Sequence, residues 1–187
     1  MYYFTFTGDV SVSNTQELIH FFNSKIIDGN YTETFTIFLS SIGGDIDAAI
    51  RTYDFLKSIP NKIHTIGFGQ IDSSAITIFL AGDKRTVLQK TRFRFHEPTY
   101  HMQQADSILS FFGERVGLFQ ELDKRLKEIT SQETGKSISQ INKLYSEGKI
   151  LNTQEAKNLG IVHEVVSQLP KPENLTSGSR EDEDRDS

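Results

Sequence analysis

Apolar residues along this chain recur with two periods, and the switches between them divide it into strands and helices. Residues 2–7 are rich in aromatics and threonine, side chains that suit a pleated, half-buried surface, and predict a first strand closed by Gly8-Asp9. Ser13, Asn14 and Thr15 then offer capping side chains, and Leu18, Ile19, Phe21, Phe22 and Ile26 follow at helical spacing. A second strand is predicted over residues 34–40, closing on Ile42-Gly43-Gly44. From Asp45 the helical period returns through Ile46, Ala49, Ile50, Tyr53 and Leu56, until Pro60, which lacks the N–H a helix needs, stops it. Residues 62–68 predict a third strand, and residues 73–80 a short apolar helix after Gly69-Gln70. Two strand pieces, 85–88 and 91–95, lead to His96-Glu97-Pro98.

Residues 104–131 read as one long amphipathic helix, with Ile108, Leu109, Phe112, Val116, Phe119, Leu122 and Leu126 on one face. Shorter helices over 137–145 and 153–159 follow, the second ended by Gly160, before a last strand over 161–166. Strand and helix alternate through the first two thirds, which predicts an α/β domain with mainly parallel strands. After Leu169 the chain turns to Pro, Ser, Gly and mixed charge, too polar to bury an apolar surface. The expected layout is a folded domain over 1–168 and a disordered acidic tail over 169–187.

A length of 187 residues suits one domain with a substantial core. With a net charge of -5 and no basic stripe interleaved with aromatics, nucleic-acid binding is not expected. The absence of cysteine excludes disulfides, cysteine catalysis and thiolate metal sites. MYYFTFTGDV carries neither a basic leader nor an apolar run of signal length, and no stretch reaches membrane-span length. A cytoplasmic protein without membrane contact or cofactor is therefore expected.

Three segments could carry chemistry. Ser41-Ile42-Gly43-Gly44-Asp45 joins a strand to a helix, where glycines let backbone approach a ligand and the helix start offers free N–H groups. It reads equally as a tight turn needing positive φ. Gly69-Gln70-Ile71-Asp72-Ser73-Ser74-Ala75 places a serine at a second strand-to-helix turn, where a hydroxyl is exposed and the next N–H can serve an oxyanion. Asp72 or Ser73 would also make an ordinary helix cap. In Phe93-Arg94-Phe95-His96-Glu97-Pro98, a histidine held beside a proline is placed to act as a base, or is a polar surface residue. The remaining histidines show no metal-ligand spacing with carboxylates.

The order of these segments resembles the Clp protease proteolytic subunit over about residues 2–166, in particular the phage-type ClpP-like proteases with a short serine-to-histidine spacing. Ile42-Gly43-Gly44 is similar to the family's Pro-Gly-Gly, and Gly69-Gln70-Ile71-Asp72-Ser73 to its Gly-Gln-Ala-Ala-Ser. Ala81-Gly82-Asp83, His96-Glu97-Pro98, Thr134-Gly135-Lys136-Ser137 and the run from Thr153 to Val162 continue the likeness. The resemblance implies a ClpP/crotonase-like superhelical α/β fold of repeated ββα units with a projecting handle helix. It also implies Ser73 as nucleophile, His96 as its base and the N–H groups of Gly44 and Ser74 as oxyanion donors. Peptide or unfolded protein would be the substrate, inside a homo-oligomeric ring joined through the helix over 104–131, unless that apolar face packs on its own domain.

Five departures stand out. The family's triad acid falls on Gly148, which has no side chain to orient an imidazole; neighbouring Glu147, or Glu97, is the possible replacement. Asp72 puts a carboxylate beside the nucleophile, where it opposes an oxyanion unless it points away. Ile42 replaces a proline, and Thr99 to Gln104 replace a glycine-rich stretch. The chain starts at its first strand, without the family's pore-lining segment, which makes docking to an ATP-driven unfoldase doubtful. A stretch from Glu147 to Ala156 is also similar to signal peptide peptidase A, which pairs its serine with a lysine, but no lysine falls where that motif needs one. Two functions stay open: a cytoplasmic serine endopeptidase, or a catalytically silent subunit that assembles with an active paralogue. Crotonase-type acyl-CoA chemistry, which does not need this serine and histidine, ranks third.

Overall fold

In the computed structural model the described residues are 1–99 and 109–169. The chain runs β1 (Tyr2–Val10), α1 (Val12–Ile27), β2 (Phe35–Gly44), α2 (Ile46–Ser58), β3 (Ile63–Asp72), α3 (Ala75–Leu80), β4 (Lys84–Leu88) and β5 (Arg92–Arg94). It continues through α4 (Leu109–Thr134), α5 (Ile138–Ser146), β6 (Ile150–Leu151), α6 (Thr153–Leu159) and β7 (Glu164–Val166). The expected acidic tail lies, after Leu169, outside the described residues, as do the first residues expected of the long helix.

The described strands form one sheet in the order β1-β2-β3-β4-β7, parallel throughout, with β5 added to β3 and β6 paired antiparallel to β5. β3 forks. Its first half, His64 to Gly67, pairs with β4, and its second half, Gln70 to Asp72, pairs with β5. Alternate β2 side chains Phe35, Ile37 and Leu39 are fully buried, in one core with Leu18 and Phe22 of α1 and Tyr53 and Leu56 of α2. The Phe22 and Phe35 rings stack 4.4 Å apart. Every residue of α3 is buried, so this helix packs as part of the core rather than as an amphipathic surface element.

Three strands run further than the sequence pattern suggests. Gly8-Asp9 does not close β1: the ladder to β2 shifts register there and continues to Val10, which carries β2 on to Gly44. Likewise β3 passes through Gly69, opposite a register shift between Leu39 and Ser41 of β2. Gly8 and Gly69 mark bulges, which bend a strand without ending it. β6, only two residues long, carries no sequence period at all.

The long helix divides its apolar face. Leu122 and Leu126 are buried in the domain, whereas Val116 and Leu118 stay exposed. Among the described residues no helix is long and apolar enough to cross a membrane.

Two histidines prefer their neutral form in the fold. Burial, then the nearby Lys84, lowers the pKa of His64, whose Nε2 lies 2.9 Å from the Thr86 hydroxyl. Burial, then Arg85, lowers that of His163, whose Nδ1 accepts the Arg85 N–H. A histidine with a depressed folded pKa binds fewer protons folded than unfolded, so its contribution is intact above the unfolded value and is lost as pH falls below it. The urea midpoint is therefore expected to fall between about pH 7 and about pH 5, and His64→Gln to flatten part of that slope. An unchanged slope in the variant would contradict the assignment.

Candidate active site

The carboxyl ends of β2, β3 and β5 lie side by side, the place where parallel sheets leave backbone groups free for a ligand. β3 delivers Ser73, β5 leads two residues on to His96, and β2 ends in Gly43-Gly44. The Ser73 N–H donates to the Arg94 carbonyl at 2.8 Å, tying the Ser73 turn to the histidine strand. Ser73, His96, Gly43 and Gly44 line one cleft of about 560 Å³, with Ile42, Ile46, Leu118 and Leu122 giving it an apolar side.

Ser73 has φ 56, and among the described residues it is the one non-glycine with positive φ. That conformation costs of order 1–3 kcal/mol and persists only where the surroundings impose it. Here they do: β3 is paired on both edges close to its end at Asp72, and buried α3 begins at Ala75, leaving two residues to reverse the chain. The result is a sharp strand-to-helix elbow that presents the side chain to the cleft. Gly43 is packed against the elbow so closely that a Cβ there would lie 2.6 Å from the Asp72 carbonyl oxygen and 2.7 Å from Ser73 Cβ. Only glycine fits.

The two expected oxyanion donors differ. No hydrogen bond from the Ser74 N–H, at the start of α3, is formed among the described residues. The Gly44 N–H, in contrast, donates to the Ser74 hydroxyl at 2.9 Å, and that hydroxyl donates to the Gly44 carbonyl at 3.2 Å. The Gly44 donor becomes free only when the Ser74 hydroxyl turns away. Ser73 and His96 share the cleft without a hydrogen bond between them among the described residues.

The carboxylate beside Ser73 has cationic partners. Asp72 is nearly buried, and its oxygens meet Arg92 at 3.2 Å and Arg94 at 3.7 Å. Burial holds its pKa above the ordinary carboxylate value, against the downward pull of these guanidinium groups and, more weakly, of His96. Its carboxylate thus faces two arginines.

Gly148, the position expected of an acid, lies beside the strand that leads to His96. Phe95 extends the β5–β6 pairing by donating its N–H to the Lys149 carbonyl at 2.8 Å, and a Cβ at Gly148 would lie 4.0 Å from the Phe95 carbonyl oxygen. Glu147, the possible replacement, turns the other way, pairing with Lys143 at 3.7 Å on the exposed side of α5. As the capping residue of α5 it points back along its own helix, so it does not take the acid's place. The imidazole finds another partner: Nδ1 of His96 lies 2.8 Å from the Glu97 carbonyl oxygen. Sequence pattern could not supply this contact, because every residue offers the same carbonyl.

A family model described as Clp protease matches residues 24–169. The ATP-dependent Clp protease proteolytic subunit 2 of Borreliella burgdorferi is 29% identical over 157 residues, 81% of this chain and 78% of that one. The corresponding subunit of Paracoccus denitrificans is 30% identical over 139 residues, 73% of this chain and 68% of that one. Among solved structures, a ClpP1 point mutant from Listeria monocytogenes shares the fold with a TM-score of 0.78 at 24% identity, covering 89% of this chain and 92% of that one. The elbow, the glycine turn and the histidine strand thus sit on a shared fold and a matched sequence, and the chain belongs to the Clp protease family.

Proposed function

We propose that this chain is a cytoplasmic serine endopeptidase that cuts peptides or unfolded protein through Ser73 and His96 inside a homo-oligomeric ring. The strained backbone of Ser73, φ 56 at an elbow that shares one cleft with His96, carries the reading. His96 Nε2 takes the hydroxyl proton as Ser73 Oγ attacks the peptide carbonyl, then returns it to the leaving amine. The Ser74 N–H, joined by the Gly44 N–H once the Ser74 hydroxyl rotates, holds the oxyanion. Gly44-Asp45 and the residues after His96 flank an extended substrate, whose apolar side chain meets Ile42, Ile46 and Leu118. The exposed Val116 of α4, outside the cleft, is the part of the long helix left for a neighbouring subunit.

Gly148 and the engaged Gly44 N–H favour a second reading, a silent subunit that assembles with an active paralogue. Turnover of fluorogenic peptides by the native chain and by Gly148→Asp separates the two. Position 148 has φ +60, a conformation aspartate tolerates, with room for its side chain. The native chain is expected to turn over slowly, and Gly148→Asp to raise kcat/KM about ten- to a hundredfold, a fraction of what a triad acid is worth. Silence in both assembled proteins would overturn the peptidase reading.

A further inference from the structure

Lys127, on α4, is a cation drawn inward. Its side chain is only 10% exposed, and Nζ lies 3.0 and 3.3 Å from the two Glu97 carboxylate oxygens and 2.6 Å from Asp123 Oδ2. The Tyr145 ring closes another side, its centroid 5.6 Å from Nζ. Burial pulls the lysine pKa down, but the bonds to Asp123 and Glu97 outweigh it and hold the value above the ordinary one, so Lys127 is a fixed cation and not a base.

Glu97 links this cation to the site. Its carboxylate is held by Lys127, Pro98 restricts its backbone to extended conformations, and its carbonyl faces His96 Nδ1 at 2.8 Å. A carbonyl oxygen has no proton to give, so Nδ1 carries the hydrogen. The neutral ring then keeps its lone pair on Nε2, the tautomer that a triad acid otherwise selects. We propose that Glu97 and Lys127 are positioning residues: the ion pair holds the Glu97 carbonyl as the orienting partner of His96, in place of the acid missing at Gly148. Asp72, whose charge acts on the ring, is occupied by Arg92 and Arg94 and is not hydrogen-bonded to it; Asp45, Asp47 and Arg115 also line the cleft.

The proposal's catalytic consequence rests on the peptidase reading, but its geometry does not, and the experiment keeps the two apart. Long-range proton–nitrogen spectra of the imidazole, collected on the Ser73→Ala background and assigned by loss of signal in His96→Gln, report the His96 tautomer without turnover. The Nδ1–H form is expected to dominate in the parent. In Lys127→Met and Glu97→Gln it is expected to give way to a mixture, with Lys127→Arg restoring it. Glu97→Gln keeps the side-chain shape and leaves Lys127 paired with Asp123, so it decides the matter if Lys127→Met does not fold. On the active background, kcat for a fluorogenic peptide is expected to fall about tenfold with KM unchanged, and Gly148→Asp to remove that dependence. A His96 ring that remains in the Nδ1–H form in both variants would overturn the proposal. Altered tautomers with no turnover in any protein would leave the positioning intact and sink the peptidase reading instead.

Discussion

Ser73→Ala is expected to abolish peptide cleavage, lowering kcat by about four orders of magnitude or more, while leaving the fold in place. The loss should be this large because the neighbouring hydroxyl cannot substitute: Ser74 is fully buried and does not line the cleft that Ser73 shares with His96. The fold should survive because the elbow is held by main chain, through the Ser73 N–H to the Arg94 carbonyl at 2.8 Å and the Ile76 N–H to the Ser73 carbonyl at 3.0 Å. Alanine bears the same backbone strain as serine at φ 56. A peptide assay and a thermal midpoint, measured on one preparation, check both halves. Cleavage that persists in the alanine variant would move the nucleophile elsewhere.

Arg85→Met is expected to destabilise the domain by about 3–5 kcal/mol, because it leaves a nearly buried carboxylate with only a part-exposed lysine as its cation and several carbonyls without their donor. Arg85 is 5% exposed on its side chain, pairs with Glu133 at 3.1 Å and donates to the carbonyls of Leu80, Glu133 and Gly160 at 3.3, 3.1 and 3.0 Å. Glu133 also accepts the Tyr53 hydroxyl at 2.6 Å and meets Lys57 at 3.1 Å. One guanidinium thus joins α2, the end of α4 and the turn after α6 to β4. Burial lowers its pKa, which Glu133 opposes, and burial with Glu133 pushes the Tyr53 hydroxyl well above the ordinary range. The thermal midpoint should fall by roughly 10 °C. Arg85→Met with Glu133→Leu should recover much of the loss, since replacing both partners removes the orphaned charge. A shift of the single variant within about 0.5 kcal/mol would mean the network is dispensable.

How much of this is legible in the sequence depends on which properties leave a periodic or local trace. α2, α5 and α6 keep near their expected limits because capping side chains and apolar spacing are local: Ser137 with Gln140, and Asn152 with Glu155, each form a complete capping box, whereas α1 is capped by Ser11 and already contains the expected caps Ser13, Asn14 and Thr15. Strand ends are less legible, since whether Gly8 or Gly69 ends a strand or bulges within it depends on the neighbour's ladder. Ser73, His96, Gly43 and Gly44 stand out by motif, and the structure brings them to one cleft. Their strain and bonding are not legible: the φ of Ser73 and the capture of the Gly44 N–H by Ser74 arise from contacts across 30 residues. The same holds for Lys127, whose spacing from Asp123 reads as an ordinary helix pair. Only the fold shows that it also reaches Glu97 beside His96.

The most direct test of the Ser73–His96 centre is intact-mass analysis after exposure to a fluorophosphonate, followed by peptide mapping. The expected result is one adduct on Ser73, absent from Ser73→Ala and strongly slowed in His96→Ala. A folded, assembled protein that forms no adduct, or forms one at another serine, would contradict an activated nucleophile at the β3 elbow.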